Sequence, residues 1–288
     1  MTNKNKYGLL QFRKEFGTEK QCLKMIFEAS HSYECSCGGS YTPLESRRQY
    51  QCSKCRFQIA PTANTIFHKS DTPLTLWFYA IFIFSTAKSG LSAKQLQRQL
   101  GVTYKTAWRM LTFIRKAIPQ SESKLKGDVE MDSGFMGGHG NAGKDNKDLG
   151  KVMKGKSVVM AAVERGGKIR AKVTFDNTAW SIQTFLQKNV DTTARLITDA
   201  SHSYITPAKE YKRETINHKK EYVRGDIHIN TIETFWSHVK RSVKGTHKAI
   251  SKKYLQSYLD GFVFHYNNRH SDKERFSSLL GALLLASK

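Results

Sequence analysis

The chain has 288 residues, with 47 Lys or Arg against 24 Asp or Glu, so its formal net charge at pH 7 is +23. Hydrophobic residues make up 39% and aromatic residues 11%, a composition that excludes a disordered chain and is sufficient for two or three compact units. Because the basic residues are spread along the whole chain, we expect a polyanionic partner, with nucleic acid favoured over a membrane surface.

No stretch of the sequence predicts a membrane span. The most apolar run, residues 74–84, is far shorter than the roughly 20 residues that cross a bilayer. Residues 1–14 are polar and charged and have no signal-peptide pattern. We therefore expect the protein to act inside the cell.

The first 70 residues combine a helical lead-in, predicted over residues 1–30, with four clustered cysteines. The cysteines are Cys35, Cys37, Cys52 and Cys55. In an intracellular chain such pairs predict metal ligands before disulfides, and two pairs on two turns can supply the four thiolates of a structural zinc site. The first pair encloses one residue where the second encloses two. Two alternatives therefore stay open: a ribbon that has lost its metal, or one that recruits Cys22 or His31.

A helix-turn-helix pattern follows an apolar helix predicted over residues 72–85. Two amphipathic helices are predicted around Gly101, and the second covers residues 103–117. Ser92 and Thr103 suit the two N-caps. The pattern is typical of a unit whose second helix reads the major groove, although such hairpins also serve as scaffolding. The side chains expected to face DNA are Tyr104, Lys105, Thr106 and Arg109.

The hydrophobic period changes from that of a helix to that of a strand after the polar stretch 119–126. The predicted elements are a strand at 128–135, a basic loop at 137–156, strands at 157–164 and 168–175, a helix at 178–189, strands at 194–199 and 213–217, and a helix from about Ile229. An antiparallel meander that leads into parallel strands predicts an α/β fold of the ribonuclease-H-like type.

Three carboxylates are expected to converge in this fold. Asp132 lies in the first strand and Asp199 at the end of the fourth, which we predict to be neighbours, while Glu233 lies at the start of the late helix. Such a set can hold two Mg²⁺ ions (or Mn²⁺) about 4 Å apart, the arrangement of metal-dependent phosphoryl transfer. Glu130 shares the strand face of Asp132 and is the alternative ligand.

Two further side chains of the late helix are predicted to assist this site. Lys240 lies two turns beyond Glu233 and is a candidate for binding a DNA phosphate. Asn230 lies on the same face of the helix, and we assign it a supporting role.

These blocks resemble the three catalytic blocks of a DDE transposase, and the group they resemble is the bacterial insertion-sequence transposases with an N-terminal zinc ribbon, the ISXO type. The blocks are Val129-Glu-Met-Asp132 with Gly137-Gly138, Leu196-Ile-Thr-Asp199, and His228-Ile-Asn-Thr-Ile-Glu233-Thr-Phe-Trp-Ser-His-Val-Lys-Arg241. Residues 50–57, 65–67 and 105–111 are similar to that group as well. The resemblance covers roughly residues 15–270, and one departure is Ser133, where the family usually has Glu.

The resemblance implies a transposase that binds terminal inverted repeats, cuts and joins DNA, and works as a homo-oligomer on DNA in the bacterial cytoplasm. The expected regions are a helical lead-in and zinc ribbon at 1–70, a helix-turn-helix region and linker at 71–126, and a catalytic domain at 127–288. A domesticated DNA-binding regulator and a ribonuclease-H-like nuclease or resolvase are the alternatives. The three carboxylates argue against the first, and two DNA-binding modules argue against the second.

Overall fold

The computed structural model describes residues 7–119, 122–137, 156–218 and 220–285. The chain divides into two compact units, one formed by residues 1–119 with 268–288 and the other by residues 120–267. Residues 138–155, which include Gly138 and nearly all of the basic loop predicted at 137–156, lie outside the described residues. Among the helices described, none has the length and hydropathy needed to cross a membrane.

The elements follow the order expected from the sequence. The helical lead-in predicted over residues 1–30 consists of two helices from Leu9, and the elements predicted after residue 70 shift by one or two residues at their ends. The first unit begins with α1 (Leu9–Phe16), α2 (Glu19–Ser30), β1 (Tyr41–Pro43), β2 (Tyr50–Cys52), β3 (Gln58–Ile59), α3 (Leu74–Thr86), α4 (Ala93–Leu100) and α5 (Tyr104–Lys116). Then come β4 (Asp128–Met136), β5 (Ser157–Glu164), β6 (Ile169–Thr174), α6 (Ala179–Asn189), β7 (Arg195–Asp199), β8 (Lys212–Ile216), α7 (Asn230–Ser242), α8 (Leu255–Asn267) and α9 (Asp272–Leu285). Short 3-10 turns at His202–Tyr204 and Lys252–Tyr254 and a π-turn at Val243–His247 complete the described set.

The helix pair α4–α5 has the caps and the turn that its sequence predicts. The Ser92 and Thr103 side chains accept hydrogen bonds from the backbone of the third helical residue in α4 and α5. Gly101 ends α4 with a φ of +66°, a left-handed conformation that glycine adopts without steric cost. The two helices and the turn between them therefore follow from local sequence signals.

The last helix, α9, belongs to the first unit, whereas the sequence places residues 268–288 with the catalytic domain. Phe276 stacks on Tyr7 at 5.2 Å and packs edge-on against Phe12. Arg275 is 1% exposed, and its guanidinium donates to the Ser85 carbonyl oxygen at 2.9 Å, at the end of α3. The last carbonyl groups of a helix have no hydrogen-bond donor within the helix, and Arg275 supplies a donor to one of those of α3. Hydrophobic periodicity predicts a helix here but cannot say which unit it packs against.

We expect Arg275→Met to lower the free energy of unfolding of the first unit by about 1–3 kcal/mol, because it leaves buried carbonyl oxygens without donors. Lys273→Met, an exposed change on the same helix, is the matched control. Urea denaturation of the full chain measures both variants, and equal midpoints for the two would contradict this role of α9.

The second unit is built on a mixed sheet with the strand order β6-β5-β4-β7-β8. Strands β4, β5 and β6 form an antiparallel meander, and β7 and β8 continue the sheet parallel to β4. This confirms the predicted adjacency of the first and fourth strands. Helix α6 packs on one face of the sheet through Ile182 and Phe185, and α7 packs on the other through Ile232 and Trp236.

Side chains of α8 cover the edge strand β6. The Asn267 side chain accepts from the backbone N–H of Ile169 at 2.7 Å and donates to its carbonyl oxygen at 3.1 Å. Gln256 accepts from the backbone N–H of Val173 at 2.7 Å. An exposed sheet edge is a template for unwanted strand pairing, so these amides close the sheet at this end.

Candidate functional site

The sheet register brings two of the predicted carboxylates side by side. Strands β4 and β7 are parallel, and Met131 is the partner of Thr198. The next residues of the two strands, Asp132 and Asp199, therefore lie at the same level on neighbouring strands. Because side chains alternate along a strand, both carboxylates belong to the face that α7 covers.

The third predicted carboxylate comes from the start of α7. The helix runs over β4 so that Trp236 lies next to Gly134, where a Cβ atom would be 4.0 Å from the indole. Glu233 lies one turn before Trp236 and is partly exposed. A cleft of about 490 Å³ is lined by Asp132, Asp199, Ala200, Ser201, His202, Ile216, Asn217, His218, Ile229 and Glu233. The structure thus brings together the three carboxylates that the sequence singles out.

The cleft concentrates negative charge. Burial raises the pKa of Asp132 to about 6, and the neighbouring Asp199 and Glu233 raise it as well, against the Ser133 N–H and Lys240, which lower it. Among the described residues that line the cleft there is no Lys or Arg. A set of carboxylate oxygens with so little positive charge beside it suits a hard divalent cation such as Mg²⁺ or Mn²⁺.

The raised pKa of Asp132 predicts how the stability of the protein depends on pH. Folding raises the pKa of Asp132 above its ordinary value of 3.8, so the ionised form costs stability, and this cost appears as the pH rises from about 4 to about 6. At neutral pH, Asp132→Asn should therefore stabilise the metal-free protein by about 1–3 kcal/mol. At about pH 3 the gain should vanish, because this pH lies below both pKa values and the carboxyl is then mostly protonated in the folded and the unfolded state.

Thermal denaturation in chelator, at acid and at neutral pH, measures the effect. Adding Mg²⁺ should stabilise the wild type and leave the variant unchanged. A variant that melts below the wild type at neutral pH without metal would contradict this electrostatic account.

The two assisting residues predicted on α7 lie at opposite ends of the helix. Lys240 is exposed and is not among the described residues that line the cleft, although its positive charge lowers the pKa of Asp132. Asn230 is the first residue of α7 and is exposed, but it is not among the described residues that line the cleft. The alternative ligand Glu130 is fully buried beneath the start of α7 and does not line the cleft either.

Sequence reasoning missed His218. It lies just after β8, lines the cleft, and places Nδ1 at 3.4 Å from Oε1 of Glu233. Its position depends on the parallel pairing of β8 with β7, which sets where the chain leaves the sheet. A single histidine in a predicted loop carried no signal for that position.

The four clustered cysteines form a compact set of sulfur atoms. All four Sγ atoms lie within 4.8 Å of one another, with 3.6 Å between Cys35 and Cys55 and 3.5 Å between Cys37 and Cys52. Tetrahedral zinc with Zn–S bonds of about 2.3 Å requires sulfur atoms about 3.8 Å apart. The donor set therefore fits zinc. Cys22 is buried against the Phe16 carbonyl oxygen outside this cluster, so neither it nor His31 is needed.

Two glycines accommodate the short first pair. Gly38 has a φ of +75°, and its N–H donates to the Cys35 carbonyl oxygen at 2.9 Å, which turns the chain back sharply. At Gly39 a Cβ atom would lie 2.7 Å from the Cys52 sulfur. The backbone N–H of Cys37 lowers the pKa of Cys35 to about 6, which favours the thiolate that zinc requires.

We expect Gly39→Ala to lower bound zinc well below stoichiometric, because the added methyl group collides with the Cys52 sulfur and with Lys54. Elemental analysis of protein purified without chelator under reducing conditions gives the content. Gly8→Ala, where a Cβ atom would have no neighbour within 4 Å, is the control. Full zinc content in the Gly39 variant would contradict the site.

The side chains predicted to face DNA lie on the outer side of α5. Tyr104, Lys105 and Arg109 are exposed and Thr106 is half-buried. The Lys94 ammonium lies 5.8 Å from the Tyr104 ring centre, which adds positive charge to this surface. Arg109 also donates to the Ser70 hydroxyl at 3.4 Å.

Comparisons with known proteins identify the family. A family model described as the ISXO2-like transposase domain matches residues 124–267, half of the chain. The chain belongs to the ISXO2-like transposase family. The matched range contains all three carboxylates and neither cysteine pair, and it confirms the resemblance to insertion-sequence transposases. A relative, the uncharacterized protein in transposable element ISH50 of Halobacterium salinarum, is 27% identical over 239 residues, which cover 78% of this chain and 79% of the relative.

Two solved structures are more distantly similar. A chain of the simian T-cell lymphotropic virus intasome in complex with PP2A regulatory subunit B56 gamma has a TM-score of 0.31 and 12% identity, covering 68% of this chain and 72% of its own. A chain of the pre-cleavage Mos1 transpososome has a TM-score of 0.28 and 12% identity, covering 72% and 75%. At such scores neither likeness adds an argument, and the strand order and the family match stand without them.

Proposed function

We propose that this transposase cleaves and joins DNA in the cleft formed by Asp132, Asp199 and Glu233. The observation that carries the proposal is the meeting of these carboxylates, two from neighbouring parallel strands and one from the helix across them. The strand order, with a meander leading into two parallel strands, supports a ribonuclease-H-like catalytic unit. The family match supports DNA as the substrate.

The three carboxylates would hold two Mg²⁺ or Mn²⁺ ions, which when bound supply activation of the nucleophile and stabilisation of the leaving oxygen. Asp132 and Asp199 bind from the sheet and Glu233 from the helix, so the scissile phosphate is held between rigid elements. Lys240 pairs with a phosphate oxygen beside the cleft.

In cleavage, water attacks phosphorus and the bond to the 3′-oxygen breaks, which leaves a 3′-hydroxyl. In joining, that hydroxyl attacks a target phosphorus and the target's 3′-oxygen leaves. Both steps displace a 3′-oxygen from phosphorus, so one arrangement of carboxylates serves both.

The first unit supplies recognition of the terminal inverted repeats. A zinc ion held by Cys35, Cys37, Cys52 and Cys55 would fold the ribbon. Helix α5 presents Tyr104, Lys105, Thr106 and Arg109 to the major groove, with Lys105 and Arg109 providing salt-dependent affinity. Asn230 supports the site at the start of α7. A homo-oligomer on DNA brings two ends of the element together.

We expect Asp132→Asn, Asp199→Asn and Glu233→Gln each to abolish metal-dependent cleavage and joining while terminal-repeat binding persists. These changes keep the shape of the side chain and remove the charge that holds the metal. A labelled terminal repeat incubated with Mg²⁺ or Mn²⁺ measures cleavage, and a gel-shift assay measures binding. Glu210→Gln, an exposed carboxylate of the same unit outside the cleft, is the control.

The same assays separate the alternatives. A domesticated regulator would bind the repeats with no metal-dependent cleavage by the wild type. Wild-type activity in Glu233→Gln would move the third ligand elsewhere, and Asn230 would be tested next. Wild-type cleavage by Asp132→Asn or Asp199→Asn would refute the proposed chemistry.

A further inference from the structure

One buried carboxylate, Glu130, remains unexplained by the proposed chemistry. It is 0% exposed and lies two residues before Asp132 on the same face of β4. A buried carboxylate is costly unless it is paired and hydrogen-bonded. Its partners therefore indicate what it does.

Both oxygens of Glu130 are occupied by partners from other elements. Oε2 accepts from the backbone N–H groups of Thr231 at 2.8 Å and Ile232 at 3.0 Å. Oε1 accepts from the Thr231 hydroxyl at 2.9 Å and from Nε of Arg165 at 2.7 Å. Glu130 therefore has no oxygen turned to the cleft, and the arrangement argues against its being a metal ligand.

Helix α7 lacks a cap of its own. The residue at its N-cap position is Ile229, which has no side-chain acceptor, and the first N–H groups of any helix have no partner within it. Glu130 supplies that acceptor from the strand. Its negative charge also lies at the positive end of the helix dipole.

Arg165 completes the attachment from the turn between β5 and β6. Its Nη1 donates to the Asp226 carbonyl oxygen at 2.8 Å and its Nη2 donates to the His228 carbonyl oxygen at 2.8 Å. These carbonyls belong to the segment that enters α7. The carboxylates facing Arg165 are Glu130 and, at 3.7 Å, Asp128. The His228 imidazole also lies beside the pair, with Nδ1 at 3.2 Å from Nη2 of Arg165 and 3.4 Å from Oε1 of Glu130.

We propose that buried Glu130, paired with Arg165, is an anchor that positions Glu233 for metal binding; this role rests on the proposed function of the cleft. Strand β4 carries Asp132 two residues after Glu130, and α7 carries Glu233 one residue after Ile232. The bonds from Glu130 to residues 231 and 232 therefore tie the two metal-binding carboxylates to one fixed spacing. Glu130 is a positioning residue, and it acts through the helix.

Hydrogen exchange of the metal-free full chain tests the anchor without reference to activity. In Glu130→Gln the amide oxygen still accepts from the helix, but the charge that holds Arg165 is lost. In Glu130→Ala both are lost. Amide exchange in peptides spanning residues 228–234 should rise from wild type to Gln and again to Ala. Arg165→Lys, which loses the forked contacts, should also raise it. Glu210→Gln, an exposed carboxylate of the same unit outside the cleft, is the control.

The rate of cleavage, measured together with Mn²⁺ binding, distinguishes a residue that positions a metal ligand from a residue that is itself a ligand. We expect Glu130→Gln to lower kcat for cleavage about 10–100-fold, the usual effect of losing a group that orients a ligand. The KM for the terminal repeat should be unchanged, and Mn²⁺ binding measured by calorimetry should be weakened but present. Asp132→Asn should instead leave exchange at 228–234 normal and lose Mn²⁺ binding.

Two results would overturn the anchor. One is unchanged exchange at residues 228–234 in both Glu130→Gln and Arg165→Lys. The other is normal exchange in Glu130→Gln together with a loss of Mn²⁺ binding as complete as in Asp132→Asn, which would make Glu130 a ligand. If the Ala variant does not fold, Glu130→Gln carries the test. Active Asp132→Asn with increased exchange in the Glu130 variants would refute the proposed chemistry and leave the anchor standing.

Discussion

The structure of the second unit depends on the parallel pairing of β4 with β7. Their register sets Asp132 level with Asp199, on the face of the sheet that α7 covers. A slip of one residue would turn one carboxylate to the opposite face of the sheet, where α6 packs. The apolar residues of β4, Val129 and Met131, resist such a slip because they are fully buried against α6. The apolar core therefore fixes the register of β4 with β7, and that register places Asp132 beside Asp199.

Much of this arrangement was predictable because it depends on local signals. Alternation identifies β4, the two strand patterns at 157–164 and 168–175 identify β5 and β6, and Ser92 and Thr103 mark two helix starts. The strand order followed from rules of chain connection, and with it the meeting of Asp132 and Asp199. The contacts of α9, His218 and Glu130 were not predictable. Each depends on a partner far away in the chain, and one sequence contains no signal for such a pair.

The cysteine cluster shows how a departure from the usual spacing can be compensated locally. A pair with one intervening residue cannot make the wider turn of the second pair. Gly38 supplies a left-handed residue and Gly39 removes a side chain next to the Cys52 sulfur, so the four sulfur atoms still meet. Sequence spacing alone left this open, because the outcome depends on close approach between two turns and not on the number of intervening residues.

Basic and acidic residues act over different distances in this protein. Its excess of basic residues attracts DNA at long range, and that attraction is screened by salt. Within the second unit, acidic side chains are kept for two short-range purposes: Asp132, Asp199 and Glu233 line the cleft, and Glu130 is buried against Arg165. A carboxylate proposed to bind a cation needs open oxygens, whereas both oxygens of Glu130 have hydrogen-bond partners. The hydrogen-bond partners of each carboxylate therefore distinguish a proposed ligand from a proposed positioning residue, a distinction that residue type and strand position could not make.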